Sequence, residues 1–401
     1  MTQSLTIAVA GAGIGGLAAA ALLAPAHDVT VYDQFDAPRP VGSGLVLQPV
    51  GLRVLDLCGA GDQARALGAR ITRMEGDEVT RGRRILDVSY DRPGGPVHGI
   101  AIHRAALFGA LYRTALAKGA RVVPATRIVS APQTGARRWL EDAQGARHGP
   151  FDLVIDAGGA ASVLSPMQAR PLRYGAVWGA VPWPEATDLP KDQLRQRYRA
   201  ASHMAGVLPL GRIDADGPWL AAVFWSLPRP ALDLWPQTDI NDWKAGVAAL
   251  WPAMEPFLRT IRAPQDMTPA RYSHGALRRP WAPGLVHIGD AAHRTSPQLG
   301  QGANMALLDA LALARALTET LALREPVDEA GPRYAQMRRW HVRLYQAMSA
   351  AFTPQYQSDS RLMPFLRDHL LAPMARTWPM PPILTQLVRG TLVPPLAGQR
   401  F

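Results

Sequence analysis

A chain of 401 residues, 48% hydrophobic and 19% charged, is long enough to bury large cores and too long for one ordinary small domain, so two domains, or one core with an appendage, are expected. Its formal net charge is +11, but the basic residues are mostly arginines scattered along the chain. They form no dense run and carry none of the interleaved aromatics of a base-stacking surface, which argues against nucleic-acid binding. The single cysteine, Cys58, excludes an intramolecular disulfide framework and a cysteine-ligated zinc or iron–sulfur centre, and it suits a reducing compartment, the cytoplasm.

The opening residues are apolar, but no basic residue precedes them and glycines interrupt them, so they are not read as a secretory signal. No later stretch stays apolar long enough to span a bilayer, and a soluble protein is expected. LTIAVA at 5–10 reads as a buried strand, GAGIGG as a tight turn and LAAAALLA as a helix, after which DVTVYD is a second strand ending in Asp33. This is an opening β-α-β unit, for which a parallel sheet and a right-handed crossover are expected. Residues 51–69 look helical. The stretch 71–99 alternates like strands and carries the turn Arg92-Pro93-Gly94-Gly95.

HRAALFGALYRTALAKGA is an amphipathic helix ending at a glycine, and RVVPATRIV and FDLVIDAGG are strands in the style of the first domain. Between 171 and 275 the chain turns to tryptophan- and proline-rich strands with one helical piece near 241–262. GLVHIGDAAH is again strand and turn, GANMALLDALALARALTETLAL is a long apolar helix, and the remainder is helical. The expected class is α/β: a Rossmann-like domain from 1–70, 100–170 and 276–326, an inserted mostly β substrate domain from 71–99 and 171–275, and a helical C-terminal region, 327–401.

Two motifs carry chemistry. In Gly11-x-Gly13-x-x-Gly16 the first glycine permits the turn, the second lets a pyrophosphate approach the backbone, and the third lets helix and strand pack closely. A glycine turn without a ligand is the plain alternative. The preceding strand, the following helix and an acid, Asp33, about twenty residues on argue for a dinucleotide. The second motif begins at Gly289-Asp290 on a strand end and continues through Pro297, Gly300, Gly302, Ala303 and Asn304 into the long helix. Its acid can hold a ribityl hydroxyl, and its open helix start can receive the negative charge of a reduced isoalloxazine ring. One FAD molecule spans both motifs, its phosphates at the first and its ring at the second.

The GAGIGGLAAAALL, IHRAALFGAL and GLVHIGDAAHRTSPQLGQGANMALLDA segments resemble the single-component FAD-dependent aromatic hydroxylases typified by p-hydroxybenzoate hydroxylase and the ubiquinone-pathway hydroxylases. The resemblance covers the first domain and extends loosely into the C-terminal helices, but it is poor across 171–275. It implies cofactor contacts from Gly11, Gly13, Gly16, Asp33, Gln48, Arg104, Asp290, Gly300, Gly302, Ala303 and Asn304, with Pro297 beside the flavin and its carbonyl toward the substrate. It further implies a monooxygenase that hydroxylates or epoxidises an aromatic or other electron-rich small molecule, with dioxygen, through a flavin C4a-hydroperoxide. Leu47, Trp178, Met204 and Phe224 are expected at the substrate; no general base stands out.

One departure bears on the electron donor. Where such hydroxylases carry an Asp-Gly followed by Ala-Arg-Ser, this chain reads Asp156-Ala157-Gly158-Gly159-Ala160-Ala161-Ser162, with glycine for the acid and alanine for the arginine. Losing both removes charge-assisted hydrogen bonds, so NADPH or NADH as direct donor is left open. A flavin-dependent oxidase, dehydrogenase or tailoring enzyme that takes electrons from its substrate stands as the alternative. No histidine set has metal-ligand spacing, so no metal is expected. A monomer or homodimer is expected. The basic, Trp- and Pro-containing C-terminal segment is read as a helical cap, with peripheral membrane contact as the other reading.

Overall fold

The computed structural model describes residues 4–37, 43–90 and 97–399; the turn expected at 92–95 lies outside them. Thr6–Ala10 is the strand read from LTIAVA, and its alternation decides two cores. Ile7 and Val9 face the helices Ile14–Leu23 and Gly302–Ala322, while Ala8 faces Tyr32, Leu140, Phe151 and Val154 on the other side. Thr6–Ala10 pairs in parallel with Asp28–Tyr32 on one edge and with Leu153–Asp156 on the other. Leu285–His287 then adds in parallel beside Leu153–Asp156. The six-stranded sheet thus gathers strands from three distant parts of the chain, and the carboxyl ends of its five parallel strands share one edge, the position at which open α/β sheets bind ligands.

The helix Ile14–Leu23 is built almost entirely from small and branched apolar residues and is buried nearly all round. It packs against Gly302–Ala322 closely enough that a β-carbon on Gly15 would lie 3.3 Å from that of Ala306. The first turns of the two helices are therefore neighbours.

An eight-stranded sheet forms the second layer, running from His293–Arg294 through Thr268–Ala276, Arg170–Pro182, Leu220–Pro228, His203–Gly211 and Gln193–Arg199 to Arg73–Glu78 and Arg84–Ser89. Alternation again separates its faces. Val177, Val207, Val223 and Trp225 pack under the helical pieces of 229–258 with Trp235, Trp243 and Phe257, while Trp178, Met204 and Phe224 point to the opposite side. Gly44–Leu47, Gly99–His103 and Ala69–Ile71 make a three-stranded sheet, and 128–151 a small antiparallel one. Ala330–Tyr356 packs along Gly302–Ala322. The helix Met380–Arg389 ties the two layers: Val388 C=O accepts from Gln301 Nε2 at 2.7 Å, and Thr385 Oγ1 donates to Ser89 C=O at 3.0 Å. The fold is α/β, a Rossmann-like domain with a mostly β insertion and C-terminal helices.

Candidate cofactor site

The first glycine turn separates packing from access. Gly11 has φ +111° and donates its N–H to Tyr32 C=O at 2.8 Å; a β-carbon there would lie 2.5 Å from Ala157 O, and one on Gly16 would lie 2.0 Å from Gly11 O. Both positions are closed by protein. At Gly13, which caps Ile14–Leu23 with no side chain covering the helix start, the nearest atom to a β-carbon is Ala157 O at 4.0 Å. The space above the helix mouth is open where a pyrophosphate would approach. Asp33 holds the turn itself: Oδ2 accepts Ala12 N–H at 2.6 Å and Oδ1 accepts Phe35 N–H at 3.1 Å. A carboxylate oxygen has two lone pairs, so each keeps capacity for a ribose hydroxyl.

The second mouth repeats this division. Gly300, φ +61°, donates to Pro297 C=O at 2.9 Å, so the Pro297 carbonyl closes a short turn before the helix Gly302–Ala322 begins. That helix also starts without a side-chain cap, and nothing lies within 4 Å of a β-carbon on Gly302. Asn304 is buried and its side chain is fully used. Nδ2 donates to Val46 C=O and Gly300 C=O, each at 3.0 Å, and Oδ1 accepts Gln48 N–H at 2.8 Å. Asn304 thus bolts the helix start to the end of Gly44–Leu47, leaving the backbone amides of 302–304 at the opening.

Gln48 supplies the observation that asks for a ligand. It is fully buried; Oε1 accepts from Tyr90 OH at 2.6 Å, while Nε2 has no partner and lies 3.5 Å from a β-carbon built on Gly300. An orphaned buried donor costs about 1–3 kcal/mol, and the pyrimidine edge of a flavin presents the acceptors it lacks. The two open helix mouths and this donor fit FAD. Gln48→Glu keeps the bond from Tyr90 and turns the free donor into an acceptor. We expect FAD affinity to fall about tenfold or more, measured by flavin fluorescence titration on apoprotein shown to be folded by circular dichroism.

Asp290 lies in a recess that is open to solvent yet surrounded by protein. Desolvation raises its carboxyl above the ordinary carboxylate range, against the pull of His293, Arg104 and Arg294. Arg104 is exposed on the first turn of Arg104–Ala117, near enough for its charge to act on Asp290. His103 caps that helix through Nδ1, which accepts Ala105 N–H at 3.2 Å.

Behind Asp290 is a residue that sequence reasoning passed over. Asp309 is wholly buried; Oδ2 accepts Gly289 N–H at 2.9 Å and meets His293 Nε2 at 2.7 Å, while Oδ1 accepts Arg338 Nε at 2.7 Å. Burial opposes ionisation here, but His293 and Arg338 outweigh it and hold the carboxyl down to about 2. The available signal was an acid inside the apolar run of Leu307, Leu308, Ala310 and Leu311.

The carboxylate that remains in the altered middle segment, Asp156, is turned inward. Asp156, buried, accepts Gly158 N–H at 3.0 Å and Ser162 Oγ at 2.7 Å, and its Oδ2 meets His287 Nδ1 at 2.7 Å. These bonds aim the acid into the protein, and no acid or arginine stands at 158 or 161.

Of the residues expected at the substrate, three come together. Trp178 stacks on Phe224 with centroids 4.4 Å apart, and Met204 shares their cluster with Tyr198 and Ala372. Leu47 does not join them; it is fully buried in the core of the first domain. Tyr272, not singled out from the sequence, accepts Trp178 Nε1–H at 2.7 Å, and among the described residues no acceptor takes its own hydroxyl proton. Among the described residues no helix is long and apolar enough to cross a membrane, and no cluster of metal-ligating side chains occurs.

A family model described as an FAD binding domain matches residues 261–341. The chain is 27% identical over 420 residues to 3-amino-4-hydroxybenzoate 2-monooxygenase of Streptomyces cremeus, covering 94% of this chain and 97% of that protein. It is 28% identical over 355 residues to 2-heptyl-3-hydroxy-4(1H)-quinolone synthase of Mycobacteroides abscessus, covering 82% and 89%. Among solved structures, 2-methyl-3-hydroxypyridine-5-carboxylic acid oxygenase in its tetrameric form superposes with a TM-score of 0.76 at 20% identity, covering 96% of each chain. A variant of Klebsiella pneumoniae HpxO complexed with FAD gives 0.75 at 21% identity, covering 92% of this chain and 94% of that one. Solved structures at such identities show the shared p-hydroxybenzoate hydroxylase-like fold. The sequence relatives and the matching FAD-domain model support the chain's similarity to the FAD-dependent aromatic hydroxylase family of flavoprotein monooxygenases.

Proposed function

We propose that this chain, with FAD, inserts one atom of dioxygen into an electron-rich aromatic or heteroaromatic small molecule held between the flavin and the inner face of the eight-stranded sheet. The carrying observation is the unpartnered Gln48 Nε2 beside Gly300, at the open mouth of the helix Gly302–Ala322. Bound FAD would supply the two-electron chemistry and the activation of dioxygen. The protein would orient and shield it. Gly11, Gly13, Gly16 and Asp33 would hold the adenylate half, and Asp290 and Arg104 the ribityl and phosphate region. The amides of Gly302, Ala303 and Asn304, with Gln48, would stabilise negative charge at the pyrimidine edge.

A planar ring suits the wall formed by Trp178 and Phe224, and the relatives named above carry ring substrates or products in their names. Burial pushes the Tyr272 hydroxyl well above its usual range, so at neutral pH it is a neutral donor available to a substrate oxygen. Tyr272→Phe should lower kcat/KM about tenfold while flavin content is unchanged. Equal turnover by the variant would remove Tyr272 from substrate binding.

The test of the main reading is oxygen consumption with stoichiometric hydroxylated product from FAD-loaded protein, NAD(P)H and a panel of hydroxy- and amino-substituted aromatic acids and quinolones. Glycine at 158 and alanine at 161, in place of an acid and an arginine, favour one second reading, an enzyme whose electrons come from its substrate. Anaerobic mixing separates the two: NADPH or NADH bleaches the flavin of a monooxygenase, and substrate alone bleaches that of an oxidase.

A further inference from the structure

Large apolar side chains left on the surface concentrate in one place. Leu362, Phe365, Leu370, Leu371, Met374 and Trp378 are all exposed, Trp378 by 87%. The chain is helical from Leu362 to Met374, with a π-turn over Arg367–Leu371. Pro364, Arg367 and Ala372 face inward and are buried, which leaves the apolar residues on one outer stripe.

Arginines rim the stripe. Arg361 begins it and Arg376 ends it, while Arg81, Arg83 and Arg199 line a groove beside Pro364 and His369. The carboxylates of that groove are already engaged: Glu78 accepts Thr80 N–H at 2.7 Å and Arg81 N–H at 2.8 Å, and Asp368 accepts Arg367 Nε at 2.6 Å. An apolar stripe ending in an open tryptophan, in which arginines outnumber the carboxylates of the neighbouring groove, matches the interfacial layer of a bilayer with anionic headgroups. A second copy of the chain is disfavoured, because a two-fold contact would set arginine rim against arginine rim.

We propose that the outer face of 362–378 docks the protein on an anionic membrane surface, with Leu362, Phe365, Leu370, Met374 and Trp378 entering the headgroup boundary. The inner face of the same element reaches the aromatic wall, since Ala372 packs with Met204, Phe224 and Tyr198. A docked protein therefore holds its substrate layer directly behind the lipid contact, which suits a ring that partitions into lipid. That last link rests on the proposed function; the docking does not.

The experiment is co-sedimentation of the full FAD-loaded chain with vesicles of phosphatidylcholine alone and of phosphatidylcholine containing about one third phosphatidylglycerol. The expected result is binding to the anionic vesicles at least about tenfold above the neutral ones, lost in high salt. It should fall at least about tenfold in Phe365→Asp/Leu370→Asp, with flavin content and circular dichroism unchanged. Trp378→Ser, at a side chain almost free of protein contacts, keeps the test open if the double variant misfolds, and should weaken binding severalfold. Absence of binding to anionic vesicles at low salt overturns the proposal. So does binding unaffected by these substitutions, or light scattering that shows a dimer dissociated by them without vesicle binding.

Discussion

Gly13→Val should give a folded protein that no longer retains FAD. The residue sits in extended backbone, φ −71° and ψ −178°, which valine adopts readily, and no atom comes closer than 4.0 Å to a β-carbon there. The apoprotein therefore loses little, about 0.5–1 kcal/mol for a poorer helix cap. The added side chain stands where phosphate oxygens would meet the first amides of Ile14–Leu23, and charge-assisted bonds of that kind contribute about 1.5–3 kcal/mol each. FAD affinity should drop about 100-fold, or about 2.8 kcal/mol, in equilibrium dialysis. Gly11→Val is the contrast: φ +111° and a contact at 2.5 Å with Ala157 O deny it a native backbone, and it should fail to fold with or without cofactor. If the two variants melt alike, Gly13 serves packing and the first mouth is not a phosphate site.

The second large effect lies at Asp309. Asp309→Ala leaves the Arg338 guanidinium buried with Pro395 C=O at 2.6 Å and Met305 sulfur at 3.3 Å as its remaining partners, and it frees the N–H of Gly289. Breaking a buried pair in this way costs about 3–5 kcal/mol, a large part of the 5–15 kcal/mol typical of a folded chain. Chemical denaturation at neutral pH reads it. The Gly289–Asp290 turn hangs from the same carboxylate, so FAD binding should weaken in whatever fraction remains folded.

Acid supplies an independent check on Asp309. Its folded carboxyl titrates near 2 against an ordinary 3.8. A depressed value contributes stability that is present above the unfolded pKa and is lost as pH falls from about 4 toward 2, in total about 2 kcal/mol. Asp309→Asn should lack this part of the acid loss, so the difference in stability between it and the wild type should narrow as pH falls. A difference that stays constant down to about pH 2 would assign the variant's defect to hydrogen bonding alone.

Much of the cofactor half was readable because its determinants are local. Whether Gly11 can take a positive φ, whether Ile7 and Val9 share a face, and where Ile14–Leu23 starts depend on residues a few positions apart, so strand, turn, helix and acid were legible in order. The same holds for Gly300 and the start of Gly302–Ala322. What could not be read is who meets whom across long intervals. Asn304 was expected at the flavin edge, but its side chain binds Gln48 and Val46, more than 250 residues away. Leu47 falls into a core instead of a pocket because the strand Gly44–Leu47 pairs with Gly99–His103, which turns it inward.

By itself, then, the sequence determined a Rossmann-like FAD domain with an inserted sheet, and the two glycine turns that precede the open helix starts. Only the tertiary structure decided that Asp309 and Asp156 are internal anchors, that Gln48 carries the unsatisfied donor, and that 362–378 turns its apolar side to solvent. The reason is physical: a turn is selected by the torsional freedom of the residues within it, whereas burial and the partner of a buried charge depend on how distant segments stack.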